Sequence, residues 1–137
     1  MILRFSALWL TAAGTLWVHA LLGIPGDYLG QGFPLYPGIR VTLSGLALTA
    51  LGTTLPIPLL AALVRHFSWR WLALPLFVLV WLMGAMDMIT PFIIDFGTTW
   101  QGTEPLRELF LHPLHTPLAL ASVVAVAAWT LAPLPRR

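Results

Sequence analysis

The segment Trp71–Ile94 reads WLALPLFVLVWLMGAMDMITPFII, and Asp87 is its one charged side chain. About 20 apolar residues in a helix cross the hydrocarbon core of a bilayer. The segment therefore predicts a transmembrane helix, because a lipid environment tolerates backbone polar groups only in helices or closed barrels. Its single carboxylate raises the question of whether the helix holds a functional site or a structural contact.

The composition of the chain also favours a membrane protein. The 137 residues are 58% hydrophobic and 9% charged, whereas soluble domains have about 25% charged residues. A surface with so few charges must face something other than water. The length is sufficient for one domain, and we expect a single membrane domain over residues 1–137.

Four apolar runs have the length of a membrane span and lack the alternating pattern of barrel strands. We predict helices at about residues 2–24, 39–64, 71–94 and 117–134. The predicted fold is an all-α integral membrane protein, a four-transmembrane-helix bundle built from two helical hairpins. Its outer loops are residues 25–38 and 95–116.

The placement of the arginines predicts the orientation. With four spans, both termini and the turn between the second and third helices lie on one side of the membrane. Cytoplasmic loops are enriched in Lys and Arg, and Arg40 and Arg107 alone fall on the other side. We therefore predict the inner membrane of a bacterial cell, with both termini in the cytoplasm. The arginines on that side are Arg4, Arg65, Arg70, Arg136 and Arg137.

Prolines and capping residues predict local features. Pro56 and Pro58 have no N–H to donate to the preceding turn, so the second helix should kink in its inner half. Thr103, followed by EPLRELF, predicts one or two helical turns on the outer membrane surface. Thr116 and Pro117 are expected to begin the fourth helix.

Each predicted span contains a stripe of small or polar residues at steps of three and four. Small residues let membrane helices approach closely, so we expect the stripes to face the interior of the bundle. In an alternative interpretation, one stripe docks against another subunit. The stripes are Thr11, Thr15 and His19; Gly45, Thr49, Gly52, Thr53 and Pro56; Met83, Gly84, Asp87 and Pro91; and Ala121, Ser122, Ala125 and Ala128.

Four protonatable side chains are expected at one membrane level near the outer surface. Asp87 lies about 24 Å along the third helix from Trp71, and His19 reaches a similar depth in the first helix. His112 and His115 precede the fourth helix. Imidazole and carboxylate together suit zinc, iron or copper, and two histidines can hold a b-type haem. These four residues are therefore candidate ligands of a transition metal or haem.

A structural interpretation of the same residues is the one that the pattern favours. Asp87 would form an ion pair with Arg40, and Asp95 is a further member of such a pairing. His19 would hydrogen-bond a threonine, and the histidines of the HPLH motif, residues 112–115, would cap a helix end. Ionisable groups within a span commonly pair with one another in this way.

Missing residue types exclude several function classes. The chain has no cysteine and no lysine, which rules out thiolate catalysis, iron–sulfur clusters and Schiff-base chemistry. It contains no Walker loop, dinucleotide-binding fingerprint, nucleophile elbow or HExxH motif. The scattered arginines form no nucleic-acid footprint. The sequence therefore favours a non-enzymatic role.

The leading hypothesis is an accessory or interaction subunit of a larger membrane complex, packed in the bilayer against other subunits or copies of itself. One alternative is a metal- or haem-binding membrane protein with a redox or transport role. Another is a small homo-oligomeric transporter in which Asp87 relays protons. In the leading hypothesis the two outer loops face the partner with Asp27, Tyr28, Gln31, Trp100 and Gln101.

Overall fold

The computed structural model describes residues 1–23, 40–96 and 102–133. These residues form helices and turns, and no β-strand occurs among them. A 3₁₀ turn at Arg70–Leu72 leads into the fourth α-helix. The α-helices are α1 (Ile2–Gly23), α2 (Leu43–Thr54), α3 (Pro56–Val64), α4 (Ala73–Phe96), α5 (Glu104–Leu109) and α6 (His115–Leu131).

Three helical segments are long and apolar enough to cross a membrane, namely Ile2–Gly23, Leu43–Val64 and Arg70–Phe92. The fourth apolar helix, α6, has 17 residues, which is near the lower limit of about 17 for a span. The prediction of an all-helical, multi-pass membrane protein is confirmed at this level. Large exposed apolar side chains suit contact with lipid, including Leu3, Leu10, Leu48, Leu63, Leu72 and Leu118.

The second span breaks where its prolines predict. Leu55 is a turn residue between α2 and α3, and its N–H donates to the carbonyl of Gly52 at 3.3 Å. This shorter i to i−3 bond closes the last turn of α2. Pro56 then occupies the first position of α3, where the missing N–H would have no helical partner anyway. Pro91, in contrast, lies within α4.

The long helices α1, α2, α4 and α6 pack against one another. α1 packs against α2 and α6, both of these also contact α4, and α1 and α4 touch directly. Large apolar side chains fill the space between them. The largest fully buried side chains include Trp81, Phe77, Phe92, Leu8, Leu16 and Ile57.

Gly84 lets three helices meet. A Cβ atom at this position would lie 2.9 Å from Cδ2 of Leu16 in α1 and 2.9 Å from Oγ1 of Thr53 in α2. The Thr53 hydroxyl donates to the carbonyl of Thr49 at 2.9 Å. α4 therefore approaches α1 and α2 because residue 84 has no side chain.

The prediction that all the small-residue stripes face inward is wrong in part. His19 and Gly84 are buried, but Met83 and Asp87 are exposed on α4. On α6 the stripe is turned outward, and Ala121, Ser122 and Ala125 are exposed. The cause is that α6 packs through a neighbouring face with larger side chains, which fill the core better. The buried residues of α6 are Thr116, Val123, Ala127, Thr130 and Leu131.

The loop helix α5 confirms the expected one or two turns after residue 103. Thr103 is at the N-cap position, but its side chain makes no capping hydrogen bond. Phe110 ends the helix and is 2% exposed. The loop thereby inserts an aromatic ring and a terminal carbonyl beside α1 and α4.

Candidate functional site

His19 is a buried polar residue in the C-terminal half of α1 and is 3% exposed. Its Nε2 atom lies 2.7 Å from the carbonyl oxygen of Phe110 and 3.0 Å from Oγ1 of Thr116. A carbonyl can only accept, so Nε2 holds the proton and donates it. His19 therefore ties α1 to the end of α5 and the start of α6.

Aromatic rings enclose this histidine. The Phe110 ring meets it nearly edge-on at a centroid distance of 4.5 Å, and the Trp81 ring lies 5.7 Å away. The indole N–H of Trp81 donates to Oγ1 of Thr15 at 3.2 Å, and Thr15 donates to the carbonyl of Thr11 at 2.7 Å. These paired polar groups form a structural network between α1 and α4.

His112 caps the start of α6. Its Nδ1 atom accepts from the backbone N–H groups of Leu114 at 3.1 Å and His115 at 3.3 Å. Its own backbone N–H donates to Oγ1 of Thr116 at 2.8 Å. The two side chains thus cap the backbone reciprocally, in the manner of a capping box. α6 begins at His115, before the predicted Thr116-Pro117 start, because this cap is supplied from upstream.

The rings of His112 and His115 stack on each other. Their centroids are 4.1 Å apart and their planes differ by 16°. Imidazole lone pairs lie in the ring plane, so stacked rings direct them side by side instead of toward one ion. The His19 ring lies 6.5 Å from that of His115, nearly perpendicular to it.

Asp87 lies apart from the histidines. The three histidines line one cavity of about 320 Å³, whereas Asp87 is exposed on α4 and lines a cavity of about 150 Å³ beside Arg40. Within the described part of the chain, no hydrogen bond or ion pair joins Asp87 to Arg40 or to another residue. The structure brings together His19, His112 and His115, and leaves the carboxylate on another surface.

The geometry gives the metal or haem hypothesis no support. Among residues 1–23, 40–96 and 102–133, no group of three or more His, Asp or Glu side chains is arranged to hold a metal ion. One ring nitrogen of each of two histidines makes a hydrogen bond, Nε2 of His19 and Nδ1 of His112. The hypothesis remains a prediction from sequence.

The remaining predicted residues lie beyond what the structure describes. For Asp95, the description is limited to its backbone within α4. The predicted loop residues are outside the described ranges: Asp27, Tyr28, Gln31, Trp100 and Gln101.

The sequence analysis did not predict the carbonyl of Phe110 or the aromatic rings as neighbours of His19. A threonine partner was one of its interpretations, and Thr116 makes that contact. The carbonyl of Phe110 has no signature in the sequence, because any residue type has a carbonyl. The aromatic character of Phe110 and Trp81 was the available signal, since buried histidines often lie among such rings.

No protein-family model, curated protein or solved structure matches this chain.

Proposed function

We propose that the protein is an accessory subunit that packs within the membrane against another membrane protein. The proposed contact is the outward surface of α4 formed by Met83, Asp87 and Thr90, which we call the Asp87 face. These residues are spaced at steps of four and three, and all are exposed. Such spacing places them on one side of the helix.

The observation that supports this proposal is the exposed carboxylate in an apolar helix. Ionisable side chains within a membrane span are costly, and they commonly pair with one another or with backbone carbonyls. The hydroxyl of Thr90 is satisfied by the carbonyl of Met86 at 2.8 Å, whereas Asp87 has no partner within the described residues. A cation or hydrogen-bond donor on a neighbouring helix would stabilise Asp87 in this position.

The outward stripe of α6 offers a second surface of the same kind. Ala121, Ser122 and Ala125 are exposed, and the Ser122 hydroxyl donates to the carbonyl of Leu118 at 2.9 Å. A stripe of small residues with satisfied polar groups allows a partner helix to approach closely. This agrees with the interpretation in which a stripe docks against another subunit.

The contacts of the histidines support a structural role for these side chains. His19 joins three elements and His112 caps a helix, so both contribute to the scaffold. The proposed frame is a four-helix bundle of two hairpins in a bacterial inner membrane, with both termini cytoplasmic. The arginine bias and the exposed tryptophans of the turn before α4, Trp69 and Trp71, support this frame.

The proposal is tested by purifying the tagged chain from native membranes in a mild detergent. The wild type should retain a membrane partner in fixed stoichiometry, and Asp87→Asn should lose most of it. Glu104→Gln, the same carboxylate-to-amide change on exposed α5, should retain it. An isolated, monodisperse wild-type chain, or full retention by Asp87→Asn, would contradict the proposal.

The same preparation separates the other two hypotheses. A homo-oligomer free of other proteins would direct attention to the transporter, with the Asp87 face between copies. A Soret band or stoichiometric metal in the wild type would favour the metal or haem hypothesis. We expect a colourless preparation without stoichiometric metal, because the described residues include no group of three or more His, Asp or Glu side chains arranged for a metal ion, and the rings of His112 and His115 stack on each other.

A further inference from the structure

A cavity of about 250 Å³ with basic walls lies between the start of α1, the turn before α4 and the end of α6. Three guanidinium groups and an imidazole line it, and its lining among the described residues includes no Asp or Glu side chain. The basic residues are Arg4, Arg65, His66 and Arg70. This concentration of positive charge, with no carboxylate among the described lining residues, favours an anionic occupant.

Arg4 is held by neutral groups. Its Nη1 atom donates to the carbonyls of Trp129 and Ala132, each at 3.0 Å, and its guanidinium lies 5.0 Å from the centre of the Trp129 ring. These carbonyls belong to the last turn of α6 and to its C-cap residue, Ala132, where a cation is favoured by the helix dipole. The contacts fix the guanidinium in place and leave a full positive charge at the cavity.

Arg65 and Arg70 also lack an anionic partner within the described residues. The guanidinium of Arg65 lies 5.8 Å from the centre of the Phe5 ring, and its Nη1 contacts the thioether of Met1. Arg70 lies over the Trp71 ring at 5.3 Å. Its Nε atom is buried and has no hydrogen-bond partner in the part of the chain that the structure describes.

Arg70 lines the cavity, and its Nε donor is unsatisfied among the described residues, which is unusual for a buried donor. Guanidinium groups bind phosphate oxygens with two parallel hydrogen bonds, which suits a site walled by several arginines. The cavity is smaller than the roughly 300–1,000 Å³ typical of drug-sized ligands, so it fits a single phosphate-bearing group.

We propose that this basic cavity binds a phosphate group, either of an anionic lipid headgroup or of a soluble phosphate compound. Exposed tryptophans neighbour its arginines: Trp129, which is 46% exposed, packs against Arg4, and Trp69, which is 51% exposed, directly precedes Arg70. Tryptophans concentrate at headgroup level, and basic pockets between membrane helices bind acidic headgroups. The site is at the other end of the helices from His19 and is independent of the Asp87 face.

The test is native mass spectrometry of the detergent-purified full chain with three probes. They are phosphatidylglycerol, phosphatidylcholine with the same acyl chains, and inorganic phosphate. The variants are Arg70→Gln and Arg65→Gln, each first checked for an unchanged helical spectrum, so that either can be used if the other does not fold. Arg107→Gln on α5 is the control, because it removes the same charge outside the cavity.

Preferential binding of one phosphatidylglycerol, weakened about tenfold or more by either cavity variant but unchanged in Arg107→Gln, would support a lipid site. Binding of inorganic phosphate with the same variant pattern, and without preference for phosphatidylglycerol, would support a soluble phosphate compound. Equal losses in the cavity variants and Arg107→Gln would overturn the proposal, because they would indicate general charge attraction. Absence of phosphate-dependent binding in the wild type would overturn it also.

Discussion

His19 shows how one backbone contact constrains a side chain. The carbonyl of Phe110 at 2.7 Å requires a proton on Nε2, which removes that nitrogen from metal binding. The sequence placed His19 on an inner face and allowed a threonine partner. It could not reveal the Phe110 carbonyl, because this contact depends on where the end of α5 packs in three dimensions.

Replacing His19 tests its structural role. His19→Leu should lower the free energy of unfolding by about 1–3 kcal/mol, because it leaves the buried Phe110 carbonyl without a donor. His19→Gln retains an N–H donor and should lose less. Thermal unfolding in detergent, followed by circular dichroism, measures both variants.

Adding zinc tests the alternative role of His19 as a metal ligand. We expect added Zn²⁺ to leave the Tm of the wild type unchanged, since no group of three or more His, Asp or Glu side chains in the described part of the chain is arranged to hold a metal ion. A rise in Tm that disappears in His19→Leu would show that His19 is a metal ligand instead. Equal stability of His19→Leu and wild type would also contradict the structural role.

At the scale of the helices, the position of a helix break was easier to predict from the sequence than the face of a helix that is buried. The break at Leu55 follows from the covalent structure of Pro56, which has no N–H to continue the ladder. The inward face of α6 was predicted incorrectly, because a stripe of small residues can serve either an internal or an external contact. Val123 and Leu131 occupy the packed face of α6 instead.

Gly84 offers a test of helix packing. Gly84→Leu should destabilise the protein by about 1–3 kcal/mol, since overpacking forces neighbouring side chains from their positions, and Leu16 and Thr53 lie where the new atoms would go. Gly52→Leu is the matched control, because a Cβ atom there meets nothing within 4 Å. Similar Tm values for the two variants would show that α4 does not approach its neighbours as closely as described.

At the scale of the whole molecule, the two ends differ in charge. The basic cavity lies at the end that contains Arg4 and Arg70, and the exposed carboxylate of Asp87 lies toward the other end. The arginine bias in the sequence predicted which end is basic. It did not predict that the arginines converge on a cavity, because this requires the start of α1 and the end of α6 to pack together.

The absence of cysteine from the chain allows a direct test of orientation. Ser68→Cys, in the exposed turn before α4, should react with a membrane-impermeant thiol reagent only from the cytoplasmic side. Thr103→Cys, exposed before α5, should react only from the outer side. The reason is the enrichment of cytoplasmic loops in arginine. The reverse pattern of labelling would invert the proposed topology.

The most direct test of the Asp87 face is photocrosslinking in native membranes. A photoreactive amino acid at Met83, which is 60% exposed, should give a crosslinked product with another membrane protein. The same amino acid at Leu63 of α3, which is 66% exposed, should crosslink only to lipid. A protein adduct at Met83 that is lost in Asp87→Asn would support the proposed function. Lipid adducts alone at both positions would contradict it.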